Sequence, residues 1–288
     1  MKRLFLLAVS MQLLLAAVSA QHNHNMTGKD SMQAQAPDSM AMQPGMDSMM
    51  MQPDQAMMQH KMDMSNITHA YSLHLPMNRN GSGTGWMPDA ATMYGNMYHS
   101  QHWMYMLHYN LFLRYNNQDI SGKGSRGDAE VDAPNWLMFM GQRKVGSNGL
   151  FHFGTMLSAD ALTMGNDGYP LLFQSGEAYK GKSLYDRQHP HDLFSELSVS
   201  YAHAFSPKAD VFIYGAYPGE PALGPVAFMH RPSAMYNPDA PLSHHWADAT
   251  HIVFGVATAG VRLGKFKIEG SSFTGREPDD KRYDFDKP

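Results

Sequence analysis

Twelve methionines fall within residues 21–64: Met26, Met32, Met40, Met42, Met46, Met49, Met50, Met51, Met57, Met58, Met62 and Met64. His22, His24 and His60 stand among them, and the triplet Asp-Ser-Met recurs at Asp30–Met32, Asp38–Met40 and Asp47–Met49. A thioether is a soft, uncharged donor that suits Cu(I) or Ag(I), and unlike a thiol it is not consumed by disulfide formation in an oxidising compartment. Spaced along one chain, three or four such sulfurs can converge on a single ion, while nearby Asp and His can hold the harder Cu(II). The competing reading is a solvated linker whose methionines are incidental. Their density argues for metal binding.

A second group of donors lies far from the first. His189 and His191 flank Pro190 beside Asp192, so an extended backbone would project both imidazoles from one face. His230, His244, His245 and His251 follow in the next long loop. Imidazoles with a carboxylate could make a Cu(II) or Zn(II) site. The spacing matches no established metal motif, however, which favours a different role: these histidines, with Arg187, Asp192 and Arg231, hydrogen-bond the loops to one another. A third set, Met104, Met106, His108, Met138, Met140, His152 and Met156, shares one face of alternating segments. It reads either as a soft-metal path or as methionine filling irregular gaps.

Signatures of catalysis are missing. The chain has no Gly-x-Ser-x-Gly elbow, no His-Glu-x-x-His and no cysteine, so it reads as a non-enzyme. A lipid-active hydrolase built on Ser195, Ser271 or Ser272 with a loop histidine is the weaker alternative. The glycine run Asn80-Gly-Ser-Gly-Thr-Gly85 fits neither a dinucleotide fingerprint nor a P-loop, and a flexible loop is expected there.

The elements that must position these groups begin with a secretory signal peptide at residues 1–20. Lys2 and Arg3 precede an apolar run from Leu4 to Val18, and Val18-Ser19-Ala20 supplies the small residues of a cleavage site. Residues 21–64 lack core-forming side chains and are expected to be a disordered Met/His-rich tail. Residues 65–100 form an irregular segment rich in Gly, Met and aromatics. No stretch after the signal reaches 18 apolar residues, which excludes a helical membrane protein. A formal net charge of −4 predicts neither nucleic-acid binding nor a polybasic membrane tether.

Residues 101–288 carry strand periodicity. In Trp103–Tyr115 the odd positions are Trp, Tyr, Leu, Tyr, Leu, Leu and Tyr, while the even ones are mixed, including His108, Asn110 and Arg114. Such alternation marks a strand with different surroundings on its two faces, and aromatics at both ends of an apolar face match an outer-membrane strand. Alternation recurs at Trp136–Gln142, Leu150–Leu157, Leu193–Phe205, Val211–Tyr217, Ile252–Leu263 and Phe266–Thr274. Short connections alternate with excursions at 116–135, 158–192 and 218–251, as in outer-membrane barrels.

The expected fold is therefore all-β: an antiparallel transmembrane β-barrel preceded by a disordered Met-rich segment. Tyr105, Leu107, Leu111, Phe151, Phe153, Leu197 and Val199 should face lipid. With the tail in the periplasm, every long loop falls on the cell exterior. Seven strands are an odd number, and single-chain bacterial barrels have even ones, so the barrel is expected to be incomplete in this chain, with the gene continuing beyond Pro288.

The loop sequences Asp186-Arg-Gln-His-Pro-His-Asp192, the run from Gly219 to Ser233, His244-His-Trp-Ala-Asp-Ala-Thr-His251 and Gly270-Ser-Ser-Phe-Thr-Gly-Arg-Glu-Pro278 resemble a poorly characterised family of outer-membrane proteins of Gram-negative bacteria. The order of signal peptide, Met/His tail and barrel is similar to that of copper-resistance protein B type proteins. These resemblances imply an outer-membrane barrel that binds, resists or transports copper or silver. Its partners would be outer-membrane lipid, the barrel-assembly machinery, and periplasmic copper proteins or efflux components. A general porin or structural barrel with no metal role is the alternative.

Overall fold

The computed structural model describes residues 67–274 apart from 93, 122–125, 166, 224–225, 243 and 245–252. Residues 1–66, which include the expected signal peptide and the methionine-rich tail with its three histidines, lie outside the described residues, as do His245 and His251. Fourteen strands occur among the described residues. They are β1 (Asn96–His99), β2 (Met104–Leu111), β3 (Arg114–Asn117), β4 (Ala129–Asp132), β5 (Asn135–Val145), β6 (Gly149–Leu157) and β7 (Tyr169–Pro170), then β8 (Glu177–Tyr179), β9 (Lys182–Leu184), β10 (Arg187–Gln188), β11 (Phe194–Ser206), β12 (Ala209–Ala216), β13 (Val256–Leu263) and β14 (Phe266–Ser272).

Eight of them form one antiparallel sheet in the order β1-β2-β5-β6-β11-β12-β13-β14, and three two-stranded ribbons (β3-β4, β7-β10, β8-β9) sit in the connections. Because each strand of the sheet pairs with the next, the connections fall alternately at its two ends. Residues 100–103, 146–148, 207–208 and 264–265 make the short turns at one end; residues 112–134, 158–193 and 217–255 make the long excursions at the other. Gly146 and Gly264 adopt φ of 65° and 63°, which a tight turn requires and an L side chain resists.

Each of the seven segments of alternating sequence contributes one strand to this sheet, and an eighth strand joins them. β1 falls within 65–100, where an irregular segment was expected, and corrects the odd count to eight. It pairs with β2 as Met97↔Met106 and His99↔Met104. The edges β1 and β14 do not pair with each other, so the sheet is open and is not closed into a barrel. The first alternating run also ends sooner than its sequence suggests: β2 stops at Leu111, and the Phe112 N–H donates to the carbonyl of Pro134. Beyond that point Arg114 pairs with Asp132 and Asp239 and lies 4.3 Å over the Tyr169 ring, drawing the chain into the β3-β4 ribbon.

The sheet's two faces differ as the period of two demands. On the outer face Leu197, Val199, Ile213 and Ile268 are 50 %, 54 %, 60 % and 70 % exposed. At the short-turn end that face carries a group of rings, with Trp103 stacked on Tyr105 at 5.8 Å and Tyr105 on Phe139 at 5.8 Å, and with Phe153 against Trp103 and Phe139. Gly141 lies under Tyr105 and Phe153; a Cβ there would sit 2.5 Å from the Phe153 ring. Aromatics thus cover the backbone where the glycine offers no side chain. The residues assigned to lipid all lie on this outer face.

The inner face is buried and divided. Over β2, β5 and β6 it is methionine-rich, with Met104, Met106, Met138, Met140 and Met156 packed on Trp136, Met229 and Phe228. Over β11 to β14 it carries Ser198, Ser200, Phe212, Tyr214, Thr258 and a buried Arg262–Asp210 ion pair. Residues 67–92 cross both halves. The Tyr71 ring rests 5.2 Å from Phe212, the Ser72 hydroxyl donates to Asp210 at 2.7 Å, and the Gln142 side-chain amide donates to the Thr68 carbonyl at 3.0 Å.

The glycine run is part of that packing and not a flexible loop. Ser82 and Thr84 are buried, and the Tyr71 hydroxyl donates to the Gly83 carbonyl. Gly83 has φ +53°, and a Cβ there would meet the Glu220 carbonyl oxygen at 2.5 Å. Here the glycines permit close backbone approach.

Candidate functional site

His189 and His191 are both buried, with ring centroids 6.0 Å apart. His189 Nδ1 lies 2.8 Å from the Pro190 carbonyl oxygen, and its backbone N–H donates to Glu177 at 2.6 Å. His191 Nδ1 lies 2.6 Å from Asp160 Oδ2, while Asp160 Oδ1 accepts the Asn135 backbone N–H. Burial by itself would lower the pKa of His191, but the hydrogen bond and charge of Asp160 outweigh it and raise the value above the ordinary one. His244 is buried, with Nδ1 3.1 Å from the Gln174 amide and 3.6 Å from Glu177. These contacts tie loops to one another. Among the described residues no group of three or more His, Cys, Asp or Glu is placed to hold a metal ion.

The serines considered for hydrolysis engage other partners. Ser195 Oγ donates to the Asp192 carbonyl at 3.5 Å, and Ser271 Oγ lies 2.5 Å from Thr258 Oγ1 while accepting the Ala222 N–H. Ser272 is exposed. A Ser–His contact does occur, but in the glycine run: Ser82 Oγ lies 2.5 Å from His230 Nδ1.

That contact belongs to the most distinctive cluster in the fold. In the antiparallel register His108 stands opposite Met138, and Met106 opposite Met140; Met138 in turn stands opposite Met156, and Met97 opposite Met106. Residues directly opposite in such a pair share a face with Cβ atoms about 4.5–5.5 Å apart, so a band of thioethers crosses four adjacent strands. A cavity of ≈ 50 Å³ opens over this band, lined by Met87, Met106, Met138, Met140, His108 and His230, with Asn78 and Asn80 at its side. Ile67, where the described chain begins, packs against the same methionine cluster.

His230 reaches the cavity from the short 3-10 turn Phe228–His230 in the connection between β12 and β13. Its ring runs nearly parallel to that of His108, 6.0 Å away, and both meet Trp136 edge-on at 5.4 Å and 4.6 Å. Burial, with a smaller contribution from His108, lowers the pKa of His230 to about 3, so its imidazole is neutral at any ordinary pH. The Nε2 atoms of His108 and His230 are buried and have no hydrogen-bond partner among the described residues.

Of the seven residues read as a soft-metal path, Met106, His108, Met138 and Met140 line this cavity. Met156 extends the band, Met104 sits opposite Gln142 toward the short-turn end, and His152 turns to the Tyr71 ring at 6.4 Å. Met87 had no place in that path, and His230 was grouped with the loop histidines. Neither lies in a strand of the sheet, so no periodicity marked them. Comparison of the chain with protein-family models, curated proteins and solved structures gives no match.

Proposed function

We propose that the chain is an outer-membrane protein whose open eight-stranded sheet is part of an incomplete β-barrel wall, and that it binds soft metal ions, Cu(I) or Ag(I), in the service of resistance or transport. The observation that carries this reading is the repetition of one donor chemistry in two places: twelve thioethers in residues 21–64, and a band of methionines with two imidazoles on the buried face of the sheet. Methionine is a common filler of irregular cores, but a filler role does not account for two imidazoles that line the same cavity and have buried Nε2 atoms without a described partner. In this reading the tail collects Cu(I) or Ag(I) in the periplasm, handed over by periplasmic copper proteins or efflux components, and the fold holds the ion or passes it on.

The membrane part of the proposal is supported by the apolar outer face and by the cluster of aromatics at its short-turn end, with β5, β6 and β11 of 11, 9 and 13 residues reaching the roughly 9–11 that a tilted transmembrane strand needs. No described helix is long and apolar enough to cross a membrane, and this has no bearing on strands. A general porin is less well supported, because residues 67–92 and the turn at Phe228 cover the inner face that a wide pore would leave open. The test is deletion of residues 21–64 in the native host, followed by growth on graded copper and silver. Tolerance should fall; unchanged tolerance with normal outer-membrane levels of the deleted protein would overturn the role given to the tail.

A further inference from the structure

We propose that the cavity between β2, β5 and the turn at Phe228–His230 is a discrete site for one Cu(I) or Ag(I) ion, held by His108 Nε2 and His230 Nε2 with thioethers from Met106, Met138 and Met140. The proposal rests on the soft-metal reading but concerns a site inside the fold, separate from the tail.

Four observations carry it. The cavity, at ≈ 50 Å³, exceeds the roughly 10–15 Å³ by which a site can admit one water, so a single ion fits without displacing the walls. Its donors are mixed nitrogen and sulfur with no carboxylate among the lining residues, a set that suits Cu(I) and disfavours the oxygen-seeking Mg(II) and Ca(II). Both imidazoles present a buried Nε2 that no described group satisfies, and leaving such groups unpaired is costly in a low-dielectric interior. Finally, Ser82 lies 2.5 Å from His230 Nδ1. When Nδ1 donates its hydrogen to that hydroxyl oxygen, Nε2 keeps its lone pair and the ring is held in place, which is the arrangement metal-binding histidines use.

The lining residues separate this site from the other buried histidines. His191 lies beside Asp160 and His244 near Glu177, whereas His108 and His230 have no carboxylate among the residues lining their cavity, and Trp136 stands edge-on to both. A donor set of imidazole and thioether without carboxylate suits a soft monovalent ion.

The experiment uses the full chain in detergent with Ag(I) as the probe, and a second full-length version in which the twelve tail methionines are replaced by leucine. The tail-substituted protein should still retain one Ag(I) per chain against a competing chelator, and X-ray absorption at silver should show both nitrogen and sulfur neighbours. In that background His230→Gln and His108→Gln should each weaken retention at least about tenfold, a loss of roughly 1.4 kcal/mol, and remove the nitrogen signal. Met138→Leu, close in volume and therefore mild in packing, should weaken retention while leaving nitrogen neighbours in place. Ser82→Ala should weaken retention less than His230→Gln. If the tail-substituted protein retains no Ag(I) while the unmodified chain retains several, the interior site is wrong and the tail reading stands; if neither retains Ag(I), both fall.

Discussion

His191 Nδ1 stands 2.6 Å from Asp160 Oδ2, and through the other carboxylate oxygen the same Asp160 accepts the backbone N–H of Asn135 at the start of β5. One buried side chain thus fastens the loop after β10 to the beginning of a sheet strand. The pKa of His191 is raised: burial opposes protonation, and Asp160 more than offsets it. A group whose folded pKa lies above its unfolded value binds its proton more tightly in the folded state. Its stabilisation is therefore complete below the unfolded imidazole value of about 6.5 and is lost as pH rises through the folded value. Asp160→Asn should lower stability by about 1–3 kcal/mol, and by more at pH 6 than at pH 9. Thermal unfolding across that range checks it. A loss of equal size at both ends would show that the His191 proton takes no part.

The exposure of the outer face gives a sharper test of membrane residence. Val199, in the middle of β11, is 54 % exposed. In water, an exposed valine changed to arginine shifts stability by no more than about 0.5 kcal/mol, whereas a lipid-facing midplane position of a barrel loses about 2–4 kcal/mol. Val199→Arg should accordingly impair assembly into the outer membrane, measured as heat-modifiable folded protein in membrane fractions. Wild-type levels of folded protein would mean that the face meets water.

Gly83 can be tested without reference to either metal or membrane. Its φ is +53°, and a Cβ would lie 2.5 Å from the Glu220 carbonyl oxygen. Neither backbone can yield cheaply, so Gly83→Ala should destabilise the chain by roughly 1–3 kcal/mol and loosen residues 67–92 from the inner face. Gly264→Ala is the control, because it shares the positive φ, 63°, with open space around it. Hydrogen exchange at residues 67–92 should rise in the first variant and not in the second.

Period-two alternation marked the seven long strands because each face of the sheet meets one environment along its whole length. β1 escaped notice because it has four residues, too few for a period, and its place depends on Met97 and Tyr98 pairing with β2. The run Trp103–Tyr115 overreached for the opposite reason: Leu113 and Tyr115 keep the alternation, yet they are 81 % and 68 % exposed, Leu113 beyond the end of β2 and Tyr115 in the separate β3-β4 ribbon. Methionines on β2 and β5 could be put on one face from spacing alone. That His230 would come to lie beside His108 could not, since the contact is made by a loop whose path depends on Ser82 and the close approach at Gly83.

The methionine tail yields the most direct chemical prediction, because it can be examined in the full chain against the His108→Gln, His230→Gln background that silences the interior cavity. Its donors are thioethers, so it should bind Cu(I) and Ag(I) in preference to Zn(II), with several ions per chain. Thioether affinity involves no proton release, so Cu(I) binding should persist at mildly acidic pH, where histidine sites with pKa near 6.5 lose their ligands. Mild peroxide converts Met to its sulfoxide and replaces a soft sulfur donor by a polar, harder oxygen; most of the binding should then disappear. The measurement is a competition titration against a Cu(I) chelator at pH 7.5 and pH 5.5, before and after oxidation. Binding that survives oxidation but is lost at pH 5.5 would assign the ions to His22, His24 and His60 and remove the thioethers from the account.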